Sequence, residues 1–188
     1  MSRIIGTTII LREVINEDLA AIHEWTKNTE ITDNLSEVFY PPQTLNTTGN
    51  FVTAILENKL DNPYFFIIAD KESNKYVGQI NFIKINWIHR FAELAIVIGD
   101  VKNHGKGIGK EAITLLLDLA FYKLNLNRIE LRVHDYNIQA INCYKSCGFN
   151  EEGRLKKSFF INNTYTDFVL MSIFKDDYCK IEKNPSCD

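Results

Sequence analysis

The chain has 188 residues, of which 45 % are apolar and 24 % charged, and its formal net charge is −3. That is enough chain for one domain with its own hydrophobic core, and the mild acidity speaks against a basic surface built to grip nucleic acid. No segment nears the ~20 apolar residues of a membrane span, so no membrane partner is expected. The N-terminal stretch MSRIIGTTIILREV lacks the apolar run and small-residue cleavage site of a secretory signal, so a cytoplasmic protein is expected. The four cysteines, Cys143, Cys147, Cys179 and Cys187, show no paired CxxC spacing. They read as reduced thiols, and no metal site is expected.

Along the chain, Thr8–Val14 puts Ile9 and Leu11 on one face and Ile10 and Arg12 on the other, as a strand does. Asn16 is placed to cap a helix that carries Glu17 and Asp18 near its positive end and Leu19, Ile22 and Trp25 at helical spacing. Asn34–Thr48 contains Pro41-Pro42 and reads as a loop, after which Phe51, Val52, Ile55 and Leu56 form a second apolar stripe. Strand-like runs follow at Tyr64–Ala69 and Tyr76–Ile85, around the turn signal Asp70–Asn74, and at Phe91–Ile98 after a loop at Asn86–Arg90. Lys110–Lys123, dense in Leu and Ala, reads as a buried helix, and Arg128–Val133 as a strand. Asn137–Cys147 reads as a helix, with Gly148 at the position past its end that favours a left-handed residue. Arg154–Phe160 and Tyr165–Phe174 join through Asn162-Asn163, a hairpin turn signal. Strands bracketing a buried helix imply a parallel strand–helix–strand crossover inside a mixed sheet. With no repeat or linker, residues 1–179 read as one domain and 180–188 as a flexible tail.

The segment His104-Gly105-Lys106-Gly107-Ile108-Gly109-Lys110 lies between a strand and a helix. Glycines there let backbone N–H groups close on a bulky anion, while the helix N-terminus and the two lysines supply positive charge. A phosphorylated ligand fits that chemistry, and an unliganded flexible turn is the alternative. A Walker A loop fails because Gly109-Lys110 is followed by Glu111 and the position five before Gly109 is His104. A dinucleotide fingerprint fails because the glycines alternate as Gly105-x-Gly107-x-Gly109.

This bend resembles motif A of the GNAT acetyltransferases, Gln/Arg-x-x-Gly-x-Gly/Ala, with Gly107 and Gly109 on its glycines and His104 where Gln or Arg is usual. A second stretch, Asn137-x-x-Ala140-x-x-x-Tyr144-x-x-x-Gly148-Phe149, is similar to another pattern of the same superfamily. A third, Ile85–Glu93 with Phe159–Asp167, looks like bacterial spermidine N-acetyltransferases and the enzymes that acetylate ribosomal-protein N-termini. The resemblance is closest from about Val77 to Tyr178. It implies an α+β fold with a mixed, mostly antiparallel sheet of about seven strands, flanking helices and the crossover at the cofactor site. It further implies acetyl-CoA as cosubstrate, with the backbones of Ile96, Val97 and Ile98 bonded to the pantetheine arm. His104–Lys110 (Gly105, Lys106, Gly107, Ile108 and Gly109 between them) would hold the pyrophosphate, and Asn137 would meet the pantetheine. A homodimer is common in such proteins. Polyamine enzymes of this type carry several acidic residues in the loop after the first helix, whereas here that loop, Asn28–Asn46, offers only Glu30, Asp33 and Glu37 and contains Pro41-Pro42, a departure from their pattern.

Acetyl transfer to an amine needs a neutral nucleophile, a polarised thioester carbonyl and a leaving thiolate. An alkylamine has a pKa near that of Lys, ~10.4, so a base must take its proton. The resemblance places Glu93 on the strand beside the thioester, and an exposed residue or a salt bridge with Arg90 is its plainer reading. Tyr144, protonated at neutral pH, can donate to the departing sulfur. A backbone N–H near Val97 would polarise the carbonyl. His23, His89 and His134 are weaker candidates for the base. The expected function is therefore an acetyl-CoA-dependent N-acetyltransferase acting on a primary amine, either a protein N-terminus or a small molecule. A polyamine-specific enzyme or an acyl-CoA-binding module without catalysis is the alternative.

Overall fold

The structure, a computed structural model, describes residues 3–59 and 63–182, the last two by backbone alone. In chain order the elements are β1 (Ile4–Ile5), β2 (Ile9–Arg12), α1 (Asp18–Trp25), α2 (Thr29–Thr32), α3 (Leu45–Leu56), β3 (Phe65–Asp70), β4 (Tyr76–Asn86) and β5 (Phe91–Ile98). They continue with α4 (Ile108–Asp118), which runs into a π-helical turn at Leu119–Lys123. The last are β6 (Arg128–His134), α5 (Ile138–Ser146), β7 (Asn150–Ile161), β8 (Thr164–Phe174) and α6 (Lys175–Glu182). Eight strands lie in the order β1-β2-β3-β4-β5-β6-β8-β7, one more than expected because of the two-residue β1. The pairs β1–β2, β2–β3, β3–β4, β6–β8 and β7–β8 are antiparallel. β5 and β6 are parallel, so the expected crossover through α4 is present.

Among the described residues the contacts fall into two units, one within Met1–Phe82 and Ala95–Leu115, the other within Ile83–Leu94 and Leu116–Asp188. In the first, Ile10, Val14, Ile22, Trp25, Ile31, Val52, Phe65, Ile67 and Ala69 form a core cluster. β2 is buried on both faces, including Arg12, which is 2 % exposed. Burying a guanidinium is costly unless its charge is paired and most of its donors are bonded. Arg12 accordingly donates to both Asp18 carboxylate oxygens, each at 2.8 Å, and to the Glu13 carbonyl at 2.9 Å. That pairing corrects the sequence reading of α1: Asn16 does not cap it, Glu17 stands at the N-cap without a side-chain bond, and Asp18 accepts the Ile15 N–H instead. The loop expected over Asn34–Thr48 ends at Thr44, whose hydroxyl caps α3 through the Thr47 N–H. It also contains a short 3-10 turn at Glu37–Phe39.

In the second unit Ile129, Leu131 and Val133 of β6 alternate inward, as the sequence pattern predicts. Asn162 and Asn163 take φ of 49° and 61°, the two left-handed residues of the hairpin turn. β7 begins at Asn150, four residues before the expected Arg154, with register shifts at Glu151/Gly153 and Leu155/Phe159. At the second shift Lys157 has φ 51°, and its N–H is held by the Asp167 carboxylate at 2.8 Å. α6 corrects the expected tail, since Lys180–Glu182 are helical. The helix is anchored by the buried Tyr178, whose hydroxyl donates to Asp118 at 2.8 Å. Cys143 and Cys147 are not disulfide-bonded, whereas Cys179 is, so the expectation of reduced thiols fails at Cys179. Cys187 and the remainder of the expected tail lie outside the described residues.

Candidate active site

The glycine bend leads into α4. Gly105 and Gly107 have φ of 73° and 81°, a conformation that L side chains rarely adopt, and a Cβ on either would meet nothing within 4 Å. The bend therefore has glycines where the backbone requires them, beside open space. The Glu111 N–H donates to the Gly107 carbonyl at 3.0 Å, so Gly107 stands at the start of the helical ladder. The N–H groups of Ile108, Gly109 and Lys110 precede the first intrahelical bond and are the donors a helix start presents to an anion. Gly109 falls inside the first turn of α4. Lys106 extends over the surface, with Nζ 3.4 Å from Asn103 Oδ1. His104 departs from the motif, and its Nε2 lies 3.5 Å from the Ile98 carbonyl oxygen, so its ring folds back on the end of β5.

Ile96, Val97 and Ile98 are half-buried at the end of β5. The described register of β5 with β6 runs Phe91↔Arg128, Ala92↔Ile129 and Glu93↔Glu130. On the β4 side, Gly78 packs so closely that a Cβ would overlap the Val97 carbonyl oxygen. Gly107, Lys110, Glu111, Thr114 and Leu115, with Gly6 and Thr7, line a groove of about 380 Å³.

In the other unit, Asn137 caps α5: its Oδ1 accepts the Ala140 N–H at 3.1 Å. The helix ends in a Schellman motif, with Gly148 N–H donating to the Lys145 carbonyl at 3.0 Å and Phe149 N–H to the Tyr144 carbonyl at 3.1 Å. Gly148, at φ 95°, is the left-handed residue this requires. The apolar contact that accompanies such an end is the Tyr144–Phe149 ring pair, 5.9 Å between centroids. The spacing Tyr-x-x-x-Gly-Phe thus has a backbone reason as well as a chemical one. Tyr144 is buried, and that burial, with the Cys143 and Cys147 thiols adding to it, pushes its hydroxyl pKa up. The hydroxyl therefore stays protonated through the neutral range.

Glu93 is 3.5 Å from Arg132 Nε, its carboxylate largely covered. Arg90, the partner considered from sequence, is bonded to Asn125 instead. Arg132 escaped the sequence reading, yet it lies two residues beyond Glu130 on the same strand face, and Glu130 is the register partner of Glu93. His134 is 2 % exposed and packed against the rings of Tyr136, Phe159 and Phe168, with centroids 4.4–4.9 Å away.

A mixed sheet with a parallel crossover, a left-handed glycine bend at a helix start and a capped helix bearing a buried tyrosine define an acetyltransferase fold. The model of the acetyltransferase (GNAT) domain matches residues 8–150, and the chain belongs to that family. It is 32 % identical over 173 residues to a spermidine N(1)-acetyltransferase of Vibrio cholerae, covering 92 % of this chain and 96 % of that protein. It is 31 % identical over 186 residues to the Escherichia coli spermidine N(1)-acetyltransferase, covering 95 % and 92 %. The crystal structure of the Vibrio cholerae spermidine N-acetyltransferase in complex with CoA and spermine superposes with a TM-score of 0.79 at 33 % identity, over 91 % of this chain and 98 % of that one. The protein is an N-acetyltransferase, as the motifs imply. Among the described residues no helix is long and apolar enough to cross a membrane.

Proposed function

We propose that the protein transfers the acetyl group of acetyl-CoA to a primary amine by direct attack on the thioester, and that its acceptor is a polyamine. The observation that carries the cosubstrate is the bend: two left-handed glycines facing open space at the N-terminus of α4, where a pyrophosphate would meet the positive end of the helix. In this reading Gly105, Lys106, Gly107, Ile108, Gly109 and Lys110 hold the phosphates, with His104 bracing the bend. The backbones of Ile96, Val97 and Ile98, and Asn137, meet the pantetheine. Acetyl-CoA supplies an activated acyl carbon and a stable leaving thiolate. The Val97 N–H polarises the carbonyl oxygen. Glu93 takes a proton from the amine, directly or through one water, as the nitrogen–carbon bond forms. Tyr144 gives its hydroxyl proton to sulfur as the carbon–sulfur bond breaks.

The polyamine acceptor is supported by the relatives of Vibrio cholerae and Escherichia coli named for spermidine. Cytoplasmic location and homodimer assembly belong to the same reading, and are checked by fractionation and sedimentation. The deciding experiment is an amine panel of spermidine, spermine, an N-terminal peptide, an amino sugar and an aminoglycoside, read by free thiol released from acetyl-CoA. Thiol release with spermidine and spermine above all others is the expected result. Binding of acetyl-CoA with no turnover on any amine would leave only a binding module.

A further inference from the structure

The glycine bend is held from behind by a residue that the acetyl transfer itself does not use. Glu111, in the first turn of α4, reaches across to the turn between β1 and β2, more than a hundred residues earlier in the chain. Its Oε1 accepts the N–H groups of Thr7 and of Thr8, the latter at 2.9 Å, with the Ile9 N–H at 3.5 Å. Its Oε2 accepts the Thr8 hydroxyl at 2.5 Å. On the other side of the same turn, Lys71 Nζ donates to the Gly6 carbonyl at 2.8 Å and the Thr7 carbonyl at 3.4 Å. The turn is thus clamped by an anion on its amides and a cation on its carbonyls. Gly6 has no room for a side chain, since a Cβ there would overlap Glu111 Oε1.

A carboxylate this close to a phosphate site is unfavourable unless its charge is matched elsewhere, because it competes for the same helix end and repels the ligand. Here the anion is held by hydrogen-bond donors of the β1–β2 turn: although burial works to raise its pKa, the bonds from Thr8, Thr7 and Ile9 outweigh it and hold Glu111 below the usual carboxylate range. Glu111 follows Lys110 directly and lies four residues after Gly107, and all three line the groove with Gly6 and Thr7. We infer that Glu111 is a positioning residue for cosubstrate binding: by tying the first turn of α4 to the β1–β2 turn, it sets the Gly107–Lys110 amides in their phosphate-binding arrangement. This rests on the reading of the bend as the phosphate site.

The test measures dissociation constants of CoA and of phosphate-free pantetheine by calorimetric competition in the wild type, Glu111→Gln, Thr8→Ala and Gly107→Val. Glu111→Gln is expected to weaken CoA about tenfold, a change of about 1.4 kcal/mol, because a charge-assisted acceptor becomes a neutral one. Thr8→Ala, which removes only the hydroxyl donor and keeps the amides, shifts CoA in the same direction by less. In both variants pantetheine affinity moves less than that of CoA. A purely structural role lowers melting temperature and weakens both ligands alike, and that outcome overturns the inference. If Glu111→Gln and Thr8→Ala keep the wild-type ratio of the two constants while Gly107→Val collapses it, the bend reading stands and the role of Glu111 falls. If Gly107→Val also keeps the ratio, the bend is not the phosphate site and both readings fall together.

Discussion

Replacing Gly107 by Val separates folding from cosubstrate binding, because the structure assigns each a different cost. The backbone there has φ 81°, so a β-branched side chain is strained wherever it points, at a cost of about 1–3 kcal/mol. No clash is added, since a Cβ at Gly107 meets nothing within 4 Å. For a chain of this size that strain lowers the melting temperature by roughly 2–12 °C, which a stable domain survives. In the proposed site, the open space that spares the fold is the space the pyrophosphate would occupy, so the added methyl groups would exclude the ligand. Acetyl-CoA at about 100 times its dissociation constant adds about 2.7 kcal/mol to the wild type, or roughly 5–11 °C. The assay is a thermal-shift titration of both proteins with acetyl-CoA, and with ATP and NAD as controls, alongside circular dichroism. The wild type should shift with acetyl-CoA alone and the folded variant with nothing. A folded Gly107→Val protein with wild-type acetyl-CoA affinity would refute the reasoning, because a side chain and a phosphate cannot share that volume.

Tyr144→Phe keeps the ring that packs on Phe149 and removes only the proton donor, so kcat should fall about 10²–10³-fold with little change in the KM for acetyl-CoA. A folded variant with wild-type kcat under chemistry-limited conditions removes Tyr144 from the mechanism. Asp18→Asn leaves the Arg12 guanidinium, 1 % exposed, without its counter-charge. It should cost about 3–5 kcal/mol in a urea melt, and a loss under 1 kcal/mol contradicts the account of that pair. The bonds from Arg128 hold the Glu152 carboxyl down at about 2, against its burial and with help from the Ser172 hydroxyl, relative to an ordinary 4.5. Its folded-state pKa is the lower one, so its stabilising contribution is present above about pH 4.5 and is lost as pH falls toward 2. Glu152→Gln should flatten that limb of the stability–pH curve, and an unchanged limb places the acid sensitivity elsewhere.

Local chemistry made much of the chain legible from its sequence. Gly105, Gly107 and Gly148 stand where the backbone turns left-handed, and Asn162-Asn163 makes the hairpin turn. Each of these depends on residues within a turn or so of one another, which is the range a sequence pattern reports. β5 and the apolar alternation of β6 followed for the same reason. The tertiary structure decided what distant partners do to a residue. Asn16 is the better cap by type, but Asp18 was claimed by Arg12, and burying that guanidinium governs the start of α1. Lys180–Glu182 look frayed in isolation, yet they continue a helix anchored by Tyr178 on Asp118. Glu93 meets Arg132 only through the β5–β6 register, and Glu111 meets the Thr7–Ile9 amides across more than a hundred residues of chain. A carboxylate goes to the strongest donors that packing brings within reach, and spacing along the chain does not encode that choice.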